Sequence, residues 1–174
     1  MERLLLFCSS SDKIDQIYND AARATVRAAA AKGYMLVSGG TVKGTMGVIC
    51  EEAHKCRIPC KGVLPLFMAP LAHPFLTETI WTGTMSERKE AMREGADLVV
   101  ALPGGIGTMD ELFETMVLAK LGRTSCKLAA LNINGFYDPL DALLRHMVDT
   151  DMLEDSDRRL LFLPRSVEEL AALM

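Results

Sequence analysis

The stretch VVALPGGIGTMDELFETM, from Val99 to Met116, predicts a strand–turn–helix unit. Its first residues form an apolar run without polar interruption, which is typical of a parallel strand covered on both faces. A proline and three glycines then predict a turn, and apolar residues at helical spacing follow it. This segment therefore predicts a βα unit of a parallel sheet.

The same alternation of strands and helices extends along the chain of 174 residues. The predicted strands cover 3–8, 34–38, 61–65, 76–83, 97–103 and 127–132. The predicted helices cover 13–33, 45–55, 86–96, 108–122 and 138–149, with a last helix from Ser166, and 65–76 is predicted as an irregular loop. This order predicts an α/β fold, a Rossmann-like doubly wound parallel sheet with helices on both faces. The length predicts a single nucleotide-binding domain over 1–174.

The composition excludes several classes of partner. The formal net charge of −4 gives no overall attraction to nucleic acid, so an anion site has to be local. The N-terminal sequence MERLLLFC has an apolar run too short for a signal peptide or a membrane span. We therefore expect a cytoplasmic protein that binds neither nucleic acid nor membrane.

Three of the cysteines and a histidine are candidates for a zinc site. The chain has five cysteines, and Cys50, His54, Cys56 and Cys60 lie close together in sequence. Their spacing is not a paired C-x-x-C arrangement, and Pro59 interrupts the segment. We predict reduced thiols and no metal.

Two glycine-rich junctions, 37–47 and 101–111, are candidates for a ligand site. The first is not a P-loop, because Thr45-Met46 stand where Lys-Ser/Thr is required. The second lacks the dinucleotide fingerprint, because Asp110 stands in place of its last glycine. Both patterns suit phosphate binding, since glycines allow close approach and a helix N-terminus offers free N–H groups. They suit two tight βα turns equally well. No cofactor is predicted.

Glu111 has two interpretations. Thr108-x-x-Glu111 matches a capping box, in which Thr108 caps the helix and Glu111 reaches back to its start. However, Arg88 and Lys89 follow Ser86, which resembles an N-cap, so they are predicted in the first turn of their helix. Cations are unfavourable there, by up to about 1 kcal/mol, and such a placement indicates function.

Two motifs identify a family resemblance. PGGIGTMDE (103–111) resembles the PGGxGTxxE signature of the LONELY GUY (LOG) family, cytokinin riboside 5′-monophosphate phosphoribohydrolases once labelled lysine decarboxylases. MSERKEAM (85–92) resembles the family's M-x-x-R-K motif. FCSSS, SGGTVKGTMG and GVLP also stand where the family has corresponding segments.

The resemblance implies hydrolysis of the N-glycosidic bond of a purine nucleoside 5′-monophosphate, of cytokinin type or AMP, to free base and ribose 5-phosphate. It implies that Arg88 and Glu111 are the catalytic pair and that no metal or cofactor takes part. The implied substrate-binding residues are Ser9, Gly40, Gly44, Met85, Lys89, Gly104, Gly105, Gly107 and Thr108. It also implies a homodimer. We predict that Arg88 keeps Glu111 ionised and that the Glu111 carboxylate turns toward Arg88.

Some positions depart from the family pattern. Ser9, Thr41 and Thr45 replace a glycine, a glycine and a leucine, so the preferred base is left open. The alternative function is a non-catalytic nucleotide or molybdenum-cofactor carrier, which would need the glycine loops but not the Arg–Glu pair. Amino-acid decarboxylation would need a lysine-bound pyridoxal phosphate or a pyruvoyl group, for which the sequence offers no convincing site.

Overall fold

A computed structural model describes residues 1–174 and contains a seven-stranded, all-parallel sheet. The strands are β1 (Arg3–Phe7), β2 (Met35–Ser38), β3 (Cys60–Pro65), β4 (Glu78–Thr82), β5 (Leu98–Ala101), β6 (Lys127–Ala130) and β7 (Leu161–Phe162). The helices are α1 (Gln16–Ala31), α2 (Gly44–Cys56), α3 (Met85–Arg93), α4 (Ile106–Lys120), α5 (Asp138–Asp149), α6 (Asp155–Arg158) and α7 (Val167–Ala171). The predicted α/β class is confirmed. None of the helices is both long and apolar enough to cross a membrane.

The strand order is β4-β3-β2-β1-β5-β6-β7. The chain moves outward from β1 to β4, then returns to place β5 on the other side of β1. In register, Leu4 of β1 is paired with Leu36 of β2 and with Leu98 of β5. The order reverses between β1 and β5, and the crevice beyond the carboxyl ends of strands at such a point is where open α/β sheets bind ligands.

Helices cover both faces of the sheet. Successive residues of a strand point to opposite sides, so each central strand contributes side chains to two cores. One core lies under α1, α2 and α7 and includes Leu4, Leu6 and Val100 from the strands. The other lies under α3, α4 and α5 and includes Leu5, Phe7 and Val99. Strand β5 is therefore apolar throughout, as the uninterrupted run in the sequence predicts, and β1 is apolar from Leu4 to Phe7.

The predicted starts of the two helices that carry Arg88 and Glu111 are wrong. Helix α3 begins at Met85, because Thr84 and Glu87 form a capping box in place of the predicted cap at Ser86. Helix α4 begins at Ile106 with Gly105 as N-cap, so Thr108 and Glu111 form no capping box. Arg88 and Lys89 thus lie later in α3 than predicted, and Glu87 is the charged residue in its first turn.

Smaller elements escaped prediction. The predicted loop 65–76 contains a 3-10 helix, Leu66–Leu71, and its backbone bridges to Thr41 through Ala72. Strand β7 and helix α6 lie in the C-terminal segment, where the sequence predicts only the last helix from Ser166. Strand β7 has only two residues, too few for any periodicity to show.

Candidate active site

A cavity of about 300 Å³ opens at the carboxyl edge of the sheet, at the reversal between β1 and β5. The loop after β1 forms one wall, and the start of α4 forms another. Arg88 reaches in from α3, and Glu111 from the second turn of α4. The fold thus brings the two motifs of the sequence, 85–92 and 103–111, to one cavity.

The N-terminus of α4 is open toward the cavity. Gly105 is the N-cap and has no side chain to bond the first N–H groups of the helix. No protein acceptor is hydrogen-bonded to the N–H groups of Ile106, Gly107 and Thr108. Such groups, at the positive end of a helix dipole, bind anions well.

Thr108 fixes this helix start in place. Its Oγ1 donates a hydrogen bond to the carbonyl of Cys8 at 3.0 Å, which ties α4 to the end of β1. Gly104 is required beside it, since a Cβ at that position would lie 2.1 Å from the Thr108 Oγ1. The Thr108 hydroxyl proton therefore points to the protein, and the backbone N–H groups are the donors left for a ligand.

Arg88 is held in a fixed orientation. Its Nε donates to the carbonyl of Val63 at 2.9 Å, and only 7% of the residue is exposed. Its Nη1 lies 3.5 Å from the Glu111 Oε1. A Cβ on Gly39 would stand 2.3 Å from the Arg88 Nη2, so this glycine provides the space for the guanidinium. The prediction that the Glu111 carboxylate turns toward Arg88 is confirmed.

Glu111 has an unusual protonation equilibrium. Burial raises its pKa from the ordinary value of 4.5 to about 7, although the Arg88 guanidinium lowers it. The carboxylate is 9% exposed and loses much of its hydration. Arg88 favours the ionised form of Glu111, but a 3.5 Å ion pair without further hydrogen bonds does not offset the desolvation, so the pKa stays above its ordinary value.

The first glycine junction uses its donors within the protein. The N–H of Gly44 donates to Asp12 Oδ1 at 2.8 Å, and the N–H of Thr45 donates to the Ser9 carbonyl at 3.0 Å. Gly40 and Gly44 have φ angles of +70° and +54° and form close backbone contacts, but neither lines the cavity. Their geometry indicates a tight loop, so the cavity does not support their prediction as substrate-binding residues.

Most of the remaining predicted residues line the cavity, and two of them, Gly104 and Lys89, do not. Ser9, Met85, Gly105, Gly107 and Thr108 line the cavity. Gly104 leaves the space that the Thr108 side chain occupies at the start of α4. Lys89 does not line the cavity, because its Nζ lies 3.0 Å from both Asp110 and Glu114 on α4. Lys89 therefore joins α3 to α4, and the cavity does not support its prediction as a nucleotide ligand.

Sequence reasoning missed several wall residues. Gly39 lies within the first glycine junction, and Met68 lies in the segment predicted as a loop. Cys8 also lines the wall, where burial and the Glu111 carboxylate raise the pKa of its thiol, so that it stays neutral. The sequence signal for Met68 was its position just after β3, at the edge where ligands bind.

The cysteine cluster is dispersed in the structure. The Sγ atoms of Cys50 and Cys60 lie 3.9 Å apart in the core, but His54 stacks on Phe75 with ring centroids 4.1 Å apart. No three His, Cys, Asp or Glu side chains are grouped so that they could hold a metal ion.

Comparison with known proteins gives the following relationships. A family model described as "possible lysine decarboxylase" matches residues 22–174. The cytokinin riboside 5′-monophosphate phosphoribohydrolase LOG2 of Arabidopsis thaliana is 32% identical, over 99% of this chain and 82% of its own length. The probable cytokinin riboside 5′-monophosphate phosphoribohydrolase LOGL2 of Oryza sativa subsp. japonica is 32% identical, over 97% of this chain and 70% of its own length.

Solved structures share the fold. The molybdenum cofactor binding protein of Rippkaea orientalis aligns with a TM-score of 0.76 at 20% identity, over 99% of this chain and 95% of that one. The molybdenum cofactor carrier protein of Chlamydomonas reinhardtii aligns with a TM-score of 0.75 at 19% identity, over 98% of this chain and 94% of that one. At these identities, the likeness concerns the fold.

Proposed function

The chain belongs to the LONELY GUY family, and on that premise we propose that it hydrolyses the N-glycosidic bond of a purine nucleoside 5′-monophosphate. The products are the free base and ribose 5-phosphate. The observation that carries the proposal is the Arg88–Glu111 pair, buried 3.5 Å apart in the wall of the cavity that also contains the open N-terminus of α4.

The 5′-phosphate binds at the start of α4 in this proposal. The N–H groups of Ile106, Gly107 and Thr108 have no protein acceptor, and no side chain caps the helix. A phosphate there is stabilised by direct hydrogen bonds and by the helix dipole. The first junction offers no comparable phosphate site, because the N–H groups of Gly44 and Thr45 donate hydrogen bonds to Asp12 and Ser9.

Glu111 and Arg88 then act at the ribose. Cleavage of the bond between C1′ and the base leaves positive charge on the sugar, which a nearby carboxylate stabilises. The base leaves with the electron pair of the C1′–N bond and takes up a proton from solvent. Water forms the new bond to C1′ and transfers a proton to Glu111, which later returns it to solvent. A carboxylate with a pKa of about 7 suits this role, because a general base is most effective when its pKa is close to the working pH. Arg88, fixed by Val63, orients Glu111 and bonds the substrate.

The proposal is tested by chromatography of the products from AMP and isopentenyladenosine 5′-monophosphate. Wild-type protein should release free base, and Glu111→Gln and Arg88→Ala should each lose at least about a hundredfold in kcat/KM. Glu114→Gln and Arg93→Ala are matched controls, since these residues pair with one another on the same two helices outside the cavity. Base release by Glu111→Gln at the wild-type rate would refute the assignment.

The alternative is a carrier that binds a nucleotide or a molybdenum cofactor without turnover. Its support is the fold shared with the two molybdenum cofactor proteins over nearly their full lengths. A carrier has no use for a buried carboxylate with a raised pKa beside an arginine, so the pair favours the hydrolase. Tight binding of a nucleotide or a pterin, with no product formed, would favour the carrier.

The decarboxylase named in the family model's description is not proposed. A lysine-bound pyridoxal phosphate needs a lysine in the cavity, and no lysine lines it. Lys89, the nearest candidate in sequence, is paired with Asp110 and Glu114.

A further inference from the structure

A second cavity adjoins the first on the side remote from α4. This outer groove, of about 420 Å³, is bordered by Asp12, Lys13, Thr41, Lys43 and Leu71. Ser10, Ser11, Met46 and Met68 line both spaces and therefore form the boundary between them. Two methionine side chains thus lie where the inner cavity meets the outer groove.

Met46 is held in place from several sides. The Thr41 Oγ1 donates a hydrogen bond to the Met46 Sδ at 3.6 Å, and both residues are buried. A Cβ on Gly39 would lie 2.6 Å from this sulfur and 2.3 Å from the Arg88 Nη2, so the two side chains pack together over Gly39. Met68, by contrast, is half-buried and lies in a 3-10 helix with exposed neighbours.

Thr41 is itself fixed. Its Oγ1 accepts a hydrogen bond from the N–H of Lys43 at 3.2 Å, which leaves its own proton for the sulfur. Its backbone bridges to Ala72, at the end of the 3-10 helix that carries Met68. A glycine, which the family pattern has at this position, could form no such hydrogen bond.

We propose that Thr41 and Met46 determine base specificity, because Thr41 holds the Met46 side chain across the boundary and so confines the base to the inner cavity. This proposal rests on the proposed function. Met46 packs with Arg88, and Arg88 is paired with Glu111, so a base attached to a C1′ near Glu111 lies toward this boundary when the phosphate is on α4. An unsubstituted purine stays within the inner cavity, on the Glu111 side of Met46. A bulky substituent on the 6-amino group would extend past Met46 and needs the space of the outer groove.

Restraint of Met46 is essential to this selectivity. Methionine has three rotatable bonds and adapts readily to different partners, so a free Met46 would exclude little. A methionine fixed by a hydrogen bond acts instead as a wall of defined position. The substrate class is therefore a purine nucleoside 5′-monophosphate with a compact base, and Thr41 is a positioning residue that acts through Met46.

The test is a comparison of dissociation constants for AMP and isopentenyladenosine 5′-monophosphate by calorimetry. All variants carry Glu111→Gln, so that no ligand is consumed. Met46→Ala is expected to raise the affinity for the substituted nucleotide relative to AMP by about tenfold, the effect of a few methylene groups in a pocket. Thr41→Val and Met46→Leu keep the side-chain volume but remove the hydrogen bond. Each should raise the affinity for the substituted nucleotide relative to AMP about threefold.

Thr41→Ser provides the matched control, because it keeps the hydroxyl and should keep the affinity ratio of the parent. Equal ratios in the parent, Thr41→Val and Met46→Ala proteins would overturn the proposal while leaving a nucleotide hydrolase intact. A parent protein that prefers the substituted nucleotide would also overturn it. Failure of both nucleotides to bind any variant would instead refute the proposed function.

Discussion

Glu111→Gln should make the protein more stable at alkaline pH while it removes activity. Burial raises the pKa of Glu111 to about 7 in the folded protein, so the folded state binds its proton more tightly than the unfolded state does. The stability that this proton contributes is complete below pH 4.5 and is lost as the pH rises through about 7. Above that pH, the folded protein contains a buried charge that is poorly compensated.

The size of the effect follows from the pKa difference. A rise from 4.5 to about 7, at 1.36 kcal/mol for each pH unit, costs the folded wild-type protein up to about 3 kcal/mol at pH 8. Glutamine has nearly the same shape and no charge, so Glu111→Gln avoids this cost. In a chain of this size, each kcal/mol shifts Tm by about 2–4 °C. The gain should be largest at pH 8 and should disappear near pH 4.

Urea denaturation of both proteins at pH 4, 6 and 8 measures the effect directly. Glu114→Gln is the matched control, because its charge has the opposite consequence. Burial raises the pKa of Glu114, but hydrogen bonds from Lys89 and Arg93 outweigh this and lower it below its ordinary value. Glu114→Gln should therefore destabilise the protein at pH 8. Our reasoning is refuted if Glu111→Gln is no more stable than the wild type at pH 8.

Four further outcomes are expected. The kcat/KM for AMP should fall about tenfold per pH unit below pH 7, because Glu111 acts as a base, and a pH–rate profile measures this. Gly39→Ala should lower kcat/KM about a hundredfold by displacing Arg88, whereas Gly83→Ala, whose Cβ would meet only the flexible end of a side chain, should change it little in the same assay. Thr108→Val should lower the free energy of unfolding by about 1 kcal/mol through loss of its hydrogen bond, measured in urea. Light scattering should give the mass of a homodimer, since apolar side chains such as Ile106 are exposed near the cavity; a monomer at all concentrations would contradict this.

Most of the fold was predictable because each strand is an apolar run between recognisable turns. The central strands are buried on both faces, so their sequences contain no polar interruption. Helix α5 was predicted with its observed bounds, where Pro139 follows Asp138 at the start. The failures lie where short-range signals compete. Thr84 and Ser86 are both residue types that cap helices, and only Glu87, three residues after Thr84, indicates that Thr84 is the N-cap and that Ser86 lies within α3.

The site was predictable in its chemistry but less so in its contacts. Topology alone brings Arg88 and Glu111 to the same edge of the sheet, because α3 and α4 each follow a parallel strand and so begin at its carboxyl edge. It could not show that Arg88 reaches the reversal of strand order, because α3 follows β4, the outermost strand. Sequence could not show that Lys89 pairs with Asp110 and Glu114, because adjacent residues of a helix point in different directions. Nor could the sequence show that the absence of a side chain at Gly39 makes room for the Arg88 guanidinium, because the two residues are distant in sequence.

The start of α4 explains how capping and catalysis are kept apart at Glu111. A helix that began after Thr108 would place Glu111 at the third position, where its carboxylate would bond the helix start, as Glu87 does in α3. Because the N-cap of α4 is Gly105, one turn before Thr108, Glu111 lies beyond reach of the N-cap and faces Arg88. The same shift leaves the first N–H groups of α4 without a side-chain acceptor. The earlier start of α4 thus provides both the anion-binding N–H groups and a Glu111 carboxylate that is free to face Arg88. A side-chain cap introduced by Gly105→Asp should therefore weaken phosphate binding, measured as an increase in KM for AMP, by competing for those N–H groups and repelling the anion.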